Sequence, residues 1–522
     1  MKKVFASIMV LCFLGTLVGC GRQASGYTPV SGLNTNDKIT LTIAIPYETN
    51  KALNTVANAF MTKYPNVSVH LEYVEDYDTN ALQLFKDNRL DMILQKGVLN
   101  EEYTVTDKET NEKLPTGTWP ADYYYNFAAD TEIDFSGTLP DITDNYRHTY
   151  TDNAGNEVEY IYSYPLGGET RGVFVNTTLL DACGLTVPKN YPEFLACCET
   201  LKTVNGLIPI QGGVSTAAYS LGLACAANPV VHDEAALAKM AAAEEGVSTL
   251  FQDTLERFYT LATNRYFDYK TVEEAGGFKL TSELGQAQSF LGLQTDETTF
   301  EVTKPENNFG YVAFMPYISS METVIRSLID RYDLGTEFTF ICSPLNDAGS
   351  AAPAYVTPYY GVSANKNSGN LVWIREFVNF LFQHDTITAY AEEAGIIPNT
   401  TDAMAFAARQ YGLNADTDIT FCGQILFSDA YNGFNPLSVA LLTTLKCNAQ
   451  KYMVNLDLDA DGNPQYKTDE DGREFLYMGN DETKVYREYV GQADAAKPGY
   501  AFCTLAYYLE NTDKEFAAFR VN

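Results

Sequence analysis

Residues 39–45 (Ile-Thr-Leu-Thr-Ile-Ala-Ile) read as a strand that ends in the breaker Pro46-Tyr47-Glu48-Thr49. From Asn50 onward the apolar positions are Leu53, Val56, Ala57, Phe60, Met61 and Tyr64, spaced three and four apart on one face of a helix. Pro65-Asn66 stops that helix. Val67, Val69, Leu71 and Tyr73 then alternate with Ser68, His70 and Glu72, which is the period of a strand. A helical stretch over residues 80–88 leads into a third strand over 91–95. Strand-helix-strand-helix-strand order requires a parallel sheet with right-handed crossovers. Ligands of such sheets bind beyond the carboxyl ends of the strands, which makes Tyr47, Glu48 and Gln95 candidate site residues.

Residues 101–134 are polar and irregular and read as an inserted loop, and 150–164 as a hairpin around Asp152 to Asn156. A strand over 170–175 is followed by a short helix capped by Asn176 and closed by Gly184. Asn190-Tyr191-Pro192 opens another helix with Phe194, Leu195, Cys198 and Leu201 inward, and residues 207–210 are a strand, so a second α/β unit follows the first. Residues 371–383 and 386–394 are amphipathic helices, the latter capped by Gly395. Beyond about residue 420 the pattern supports only strands near 459–462 and 469–472, and no repeat of solenoid period occurs.

Composition narrows the partners. The 522 residues carry 67 Asp plus Glu against 35 Lys plus Arg, a net charge of −32. Such a surface repels phosphate backbones and anionic headgroups, so neither nucleic acid nor a basic membrane patch is expected. Tyrosine (36) and phenylalanine (29) are abundant and tryptophan scarce (2), so an aromatic ligand platform would be built from tyrosine.

Lys2 and Lys3 precede an apolar run from Val4 to Val18, which is short for a membrane span and right for a signal sequence. It ends in Leu17-Val18-Gly19-Cys20, which resembles a bacterial lipobox. Residues 1–19 are therefore expected to be a lipoprotein signal peptide, Cys20 the lipidated residue, and 20–37 a flexible Gly/Ser/Thr/Asn-rich tether that holds the chain on the extracytoplasmic face of the cell membrane. No later segment has 18 uninterrupted apolar residues. Eight of the ten cysteines remain (Cys183, Cys197, Cys198, Cys225, Cys342, Cys422, Cys447 and Cys503), without CxxC or metal spacing, and read as buried free thiols.

The order of segments resembles a family 1 extracellular solute-binding protein, the maltose-binding-protein-like lipoprotein of a carbohydrate ABC importer. The most specific stretch runs from Tyr164-Pro165 through Glu169-Thr170-Arg171 to Asn176, followed by Leu179-Leu180, Gly184-Leu185 and Pro188 to Phe194. Supporting segments are Phe60 to Asn66, Gly137 to Ile142, Phe309 to Met315 and Trp373 to Gly395, so the resemblance spans roughly residues 38–400. It implies a type II, two-lobed α/β fold closing about a hinge near 164–171. The lobes are expected to be 38–160 plus about 305–365, and 165–304 plus about 366–522, with an atypical segment after about 420.

The resemblance also implies ligand-binding roles. Glu169 stands where maltose-binding relatives carry an acid four positions after the hinge proline, with an ion pair to Arg171 as its structural alternative. Tyr47 and Glu48 match the loop after the first strand, and Gln95 the end of the third. Tyr219 falls near a ligand-contacting helix, Tyr317 near a platform position, and Tyr359 and Tyr360 near the return crossing. Sugars present an apolar ring face and many hydroxyls, which aromatic rings, carboxylates and arginine suit. The expected partners are a carbohydrate and the permease subunits, with contact to the membrane only through the lipid, in a monomer without cofactor or metal.

Asp457-x-Asp459-x-Asp461-Gly462 matches half a calcium loop, but position 12 is Thr468, and a hairpin turn is favoured. A secreted glycoside hydrolase is the competing class, yet no HExxH, GxSxG or P-loop occurs, and His70, His148, His232 and His384 stand alone. A receptor for a non-sugar solute is the remaining alternative.

Overall fold

The computed structural model describes residues 27–47, 50–95, 104–106, 113–115, 122–151, 156–211, 218–222, 225–226, 233–242, 246–267, 283–296, 298–299, 301–350, 352, 354–403, 405–407, 419–421, 453–478, 483–494 and 497–518. The signal peptide, Cys20, Glu48, Cys422 and Cys447 lie outside them.

The first half-sheet follows its local pattern closely. Strand β1 (Ile39–Ile45) is followed by helix α1 (Lys51–Lys63), strand β2 (Val67–Tyr73), helix α2 (Tyr77–Lys86) and strand β3 (Met92–Gln95). The Asn50 side chain accepts from the Leu53 amide at the start of α1, which buries Leu53, Val56 and Phe60. β1 pairs in parallel with β2, from Ile39 opposite Val67 to Ile45 opposite Tyr73, and with β3 on its other edge. The apolar stripe of α1 therefore covers one face of a parallel sheet.

The chain then changes sheets. Strand β4 (Tyr164–Pro165) belongs to the first sheet, and after Leu166 strand β5 (Gly167–Asn176) starts the second. Helices α3 (Thr177–Ala182) and α4 (Tyr191–Lys202) lead to β6 (Ile208–Ile210), and helix α5 (Gln252–Thr263) precedes β7 (Val312–Ile318). Helix α6 (Glu322–Tyr332) and strands β8 (Phe338–Cys342) and β9 (Ala354–Pro358) follow. β10 (Gly361–Ala364) returns to the first sheet, helices α7 (Leu371–Leu381) and α8 (His384–Ala394) follow, and β11 (Ile397–Pro398) rejoins the second. The first sheet has the order β2-β1-β3-β10-β4. The second runs β6-β7-β5-β9 to a short strand Ile419–Phe421, with β8 and β11 also pairing β5. β5 is the spine of the second lobe.

This topology corrects the lobe boundaries expected from sequence. β7, β8 and β9 pair with β5, so residues 312–358 belong to the second lobe and not the first. Conversely Trp373, Phe377 and Tyr390 share one core with Leu41, Val56 and Phe60, so α7 and α8 belong to the first lobe and not the second. Only β10, at the end of the 305–365 range, lies where expected. The physical reason is that β9 and β10 are separated by two residues, and the crossing sits there instead of near residues 305 and 366.

Two further expectations are corrected. Residues 27–37 are not a tether: Val30 is buried in the first lobe's core, and the Thr35 carbonyl accepts from Asn66 Nδ2 at 2.9 Å. Residues 459–462 and 469–472 are turns, not strands. Asp459 Oδ1 accepts from the amides of Asp461 (2.9 Å) and Asn463 (2.8 Å), and Asp469 Oδ1 from those of Asp471 (3.0 Å) and Arg473 (2.8 Å). Gly462 and Gly472, at φ of +84° and +81°, complete the two turns. The atypical segment folds onto the second lobe, where Met453, Leu476, Val485, Phe502 and Tyr508 join the core of Val173, Phe194, Phe258 and Phe314. Among the described cysteines, Cys183, Cys197, Cys198, Cys225 and Cys503 are free thiols.

Candidate functional site

Three chain crossings join the lobes side by side. The Leu166 amide donates to the Tyr360 carbonyl (3.0 Å), the Tyr359 amide to the Gly167 carbonyl (2.9 Å), and the Asn399 amide to the Leu166 carbonyl (3.1 Å). Asn399 is fully buried; its Nδ2 donates to the Pro165 carbonyl at 2.9 Å and its Oδ1 accepts from the Leu139 amide at 2.9 Å. The strands come so close here that a Cβ on Gly167 would stand 2.1 Å from the Ile397 carbonyl oxygen. Crossings bonded to one another bend as a unit, which is what a hinge requires.

A tyrosine cluster grows out of the second crossing. The rings of Tyr359 and Tyr360 meet edge-on with centroids 5.1 Å apart, and the ring of Tyr360 meets that of Tyr47 edge-on at 6.3 Å. The hydroxyls of Tyr47 and Tyr360 are 3.2 Å apart. Tyr47 is 41% exposed, Tyr360 half-buried and Tyr359 buried, so the cluster runs from solvent into the protein. At its inner end the Tyr390 hydroxyl, on α8, lies against Tyr359 and the Asn50 side chain. Burial pushes the Tyr359 hydroxyl well above the usual tyrosine range, and the nearby Tyr390 and Glu169 push it the same way. Burial does the same to Tyr390. Both stay neutral at physiological pH.

Glu169 reaches this cluster from the other lobe. It sits on β5, is 1% exposed, lies opposite Thr357 on β9, and accepts from Ser320 Oγ at 2.7 Å. The neighbouring Thr170 amide donates to Ser319 Oγ at 3.1 Å, so Ser319-Ser320 braces the strand on which the carboxyl group stands. Arg171 follows on the same face of β5, opposite Ile318 and Tyr355 and half-buried. Aromatic rings from one lobe and a carboxylate from the other therefore converge beside the hinge, with Arg171 two residues further along the same strand. Such a set can hold a neutral, hydroxyl-rich ligand by ring contact and charged hydrogen bonds. Among the described residues no group of three or more His, Cys, Asp or Glu is placed to hold a metal.

The family model for bacterial extracellular solute-binding proteins matches residues 46–387, more than half of the chain. The chain belongs to that family. No curated protein matches it. Among solved structures it is similar to a putative binding protein of Bacillus subtilis in an open conformation (15% identity, TM-score 0.45, 78% of this chain and 91% of that one). Others are an ABC-transporter binding protein of Bifidobacterium animalis subsp. lactis in complex with mannobiose (15%, 0.46, 79% and 89%) and an acarbose-binding receptor of Streptomyces glaucescens (16%, 0.46, 78% and 93%). The match ends inside α8, so the segment that completes the second lobe's core lies beyond it.

For this solute-binding protein, the structure brings together Tyr47, Glu169, Tyr359 and Tyr360, with Arg171 next along the strand. It does not bring Gln95 to the cluster. The Gln95 side chain is 1% exposed, its Nε2 donates to Ser363 Oγ, and its Oε1 accepts from the Tyr124 hydroxyl at 3.2 Å. Pairing with β10 and the intrusion of Tyr124 seal the end of β3, so the amide serves the first lobe's interior. Tyr317 packs with Phe174, Met315 and Ile325 on the face of the second sheet opposite Glu169 and Arg171. Tyr219 lies in a helical turn, Ala218–Gly222, beside β5 and β7; its side chain, like Glu48, falls outside the described residues. Sequence reasoning missed Ser320, Tyr390 and Asn399. Asn50 carried a legible N-cap signal; Tyr390 read as one more apolar position of a helix.

Proposed function

We propose that the chain is a lipid-anchored extracellular solute-binding protein that captures a carbohydrate between its lobes and delivers it to an ABC importer. The observation that carries this reading is the Tyr47–Tyr360–Tyr359 cluster facing buried Glu169 across the bonded hinge crossings. Open and closed lobes interconvert, the ligand meets both faces only in the closed form, and the closed form is what the permease recognises. Cys20 carries the lipid, and no catalytic step is assigned.

Thermal melting of residues 21–522 against mono- and oligosaccharides tests it, with every hit recovered and checked for turnover. A stabilising sugar recovered intact is the expected outcome. A consumed sugar would transfer the case to a glycoside hydrolase, and a silent panel would remove carbohydrate as the ligand. Glu169→Ala should weaken binding of the stabilising sugar by about 1.5–3 kcal/mol, the worth of a charged hydrogen bond, or roughly 10- to 150-fold. Unchanged affinity by calorimetry would remove Glu169 from the site.

A further inference from the structure

Residues 27–30 (Tyr-Thr-Pro-Val) have no local pattern that would order them, yet they are bound to the first lobe through one buried acid on α7. The hydroxyls of Tyr27 and Tyr64 both donate to Glu376 Oε1, and the Val30 amide donates to Glu376 Oε2 at 2.9 Å. Glu376 is 0% exposed. One turn further along α7, Asn379 Nδ2 donates to the Thr28 carbonyl at 3.0 Å. The Lys63 ammonium, at the end of α1, stands 3.2 Å from the centroid of the Tyr27 ring, a cation–π contact on a half-buried ring. Val30 is 3% exposed, packed in the core with Val56, Phe60 and Phe377. Burial, reinforced by Glu376, pushes both tyrosine hydroxyls up, so both remain proton donors. A buried carboxyl group needs such donors, and two of its three partners named here are supplied by Tyr27 and Val30, some 350 residues away in sequence.

We propose that Tyr27–Val30 is a strap that fixes the exit of the lipid-bearing amino terminus on the α1–α7 face of the first lobe, and thereby makes this lobe the membrane-proximal one. The inference rests on the reading of Cys20 as the lipidated residue. Between Cys20 and Tyr27 stand only residues 21–26, which at full extension span about 25 Å. A tether running from 20 to 37 would reach about 60 Å and let either lobe face the bilayer. With the strap docked, a membrane-embedded permease meets a binding protein held at short range with the same lobe always nearest. That raises the effective concentration of one orientation without any new contact between the two proteins.

The test uses the full-length lipidated chain in phosphatidylcholine vesicles that carry a headgroup acceptor dye. A donor dye is placed genetically at exposed Asn58 on α1 or at exposed Leu458 on the second lobe. Energy transfer should be stronger from position 58 than from 458. The double variant Tyr27→Ser, Val30→Gly, which removes the ring and the apolar plug and leaves the cluster of tyrosines at the hinge untouched, should abolish that difference. Hydrogen exchange of the amide at position 30 reads the strap alone: protection is expected in the parent and loss of it in the variant. Equal transfer from both positions in the parent, or a difference that survives in the variant, overturns the orientation. A Val30 amide exchanging at the unprotected rate overturns the strap itself. Failure of the chain to join the vesicles at all overturns the lipid anchor, and the orientation with it, whatever the Val30 amide does.

Discussion

Asp494→Ala should destabilise the second lobe by about 3 kcal/mol, the low end for a broken buried pair because Arg265 keeps some of its surface in water. The Asp494 side chain is 1% exposed and that of Arg265 16%. Arg265 Nη2 and Nε both donate to the Asp494 carboxylate, Nε at 3.3 Å, and the guanidinium lies over the Phe502 ring with its carbon 5.6 Å from the centroid. The Asp494 amide in turn donates to the Tyr500 carbonyl at 2.8 Å. Arg265 closes helix α5, whereas Asp494 and Phe502 come from the far end of the chain, so the pair sews that end to the lobe. Removing the carboxylate takes away the acceptor that both Nε and Nη2 of this largely buried guanidinium bond. Chemical denaturation with hydrogen-exchange readout by region is the measurement. Protection should fall together in α5, β6 and residues 490–503. Loss confined to 490–503 would make the carboxyl-terminal segment an appendage, and the argument that it completes the lobe's core would fail. Replacing both residues by leucine should recover most of the loss, since it removes the buried charge together with its partner.

How much of this could be read beforehand differs sharply between the two ends of the chain. The first lobe's β1–α1–β2 unit was legible because each element carries its own period: the α1 stripe repeats every three to four residues and β2 alternates strictly. Helices α7 and α8 were legible for the same reason. What local pattern cannot say is which sheet a strand joins. β7 (Val312–Ile318) reads as a strand in either lobe, and only its register against β5, Phe314 opposite Val175, decides. The lobe boundaries expected from sequence were therefore misplaced although the elements were right.

The residues grouped beside the hinge were legible where they sit next to a breaker or a crossing, as at Tyr47, Glu169 and Tyr359-Tyr360. It was not legible where a partner arrives from far along the chain. Ser320 and Tyr390 are separated from Glu169 and Tyr359 by 151 and 31 residues, and nothing around them differs from ordinary helix or turn sequence. Gln95 shows the converse: its place at a strand end was right, but Tyr124 and Ser363 occupy its amide. The tether reading of residues 27–37 failed for a related reason. A Gly/Ser/Thr/Asn-rich composition argues for a tether only when no buried group elsewhere needs donors, and Glu376 does.

Phe377→Ala should cost about 3–5 kcal/mol, the range for deleting a fully buried ring from a core that cannot collapse around the space. Phe377 is 0% exposed, and its ring meets that of Phe60 on α1 edge-on at 5.1 Å. Phe60 also touches the rings of Tyr64 and Phe380, at 4.9 and 5.5 Å, so the vacated volume is walled by rings that are themselves fixed. The variant tests the return of the chain to the first lobe after Tyr359-Tyr360. If α7 is part of that lobe, hydrogen exchange should accelerate in β1, α1, β2 and β10, while β5, β7 and β8 keep their protection. Faster exchange in β5 and β7 with β1 and α1 unchanged would return α7 to the second lobe and with it the boundary near residue 366. The result also bears on the hinge. Because α7 and α8 follow the second crossing and precede the third, a first lobe loosened at Phe377 reaches both Tyr390 and β11. The stabilising sugar should therefore bind more weakly to Phe377→Ala, even though this ring lies in the core, because it must also restore order to the lobe that carries Tyr47 and Tyr360.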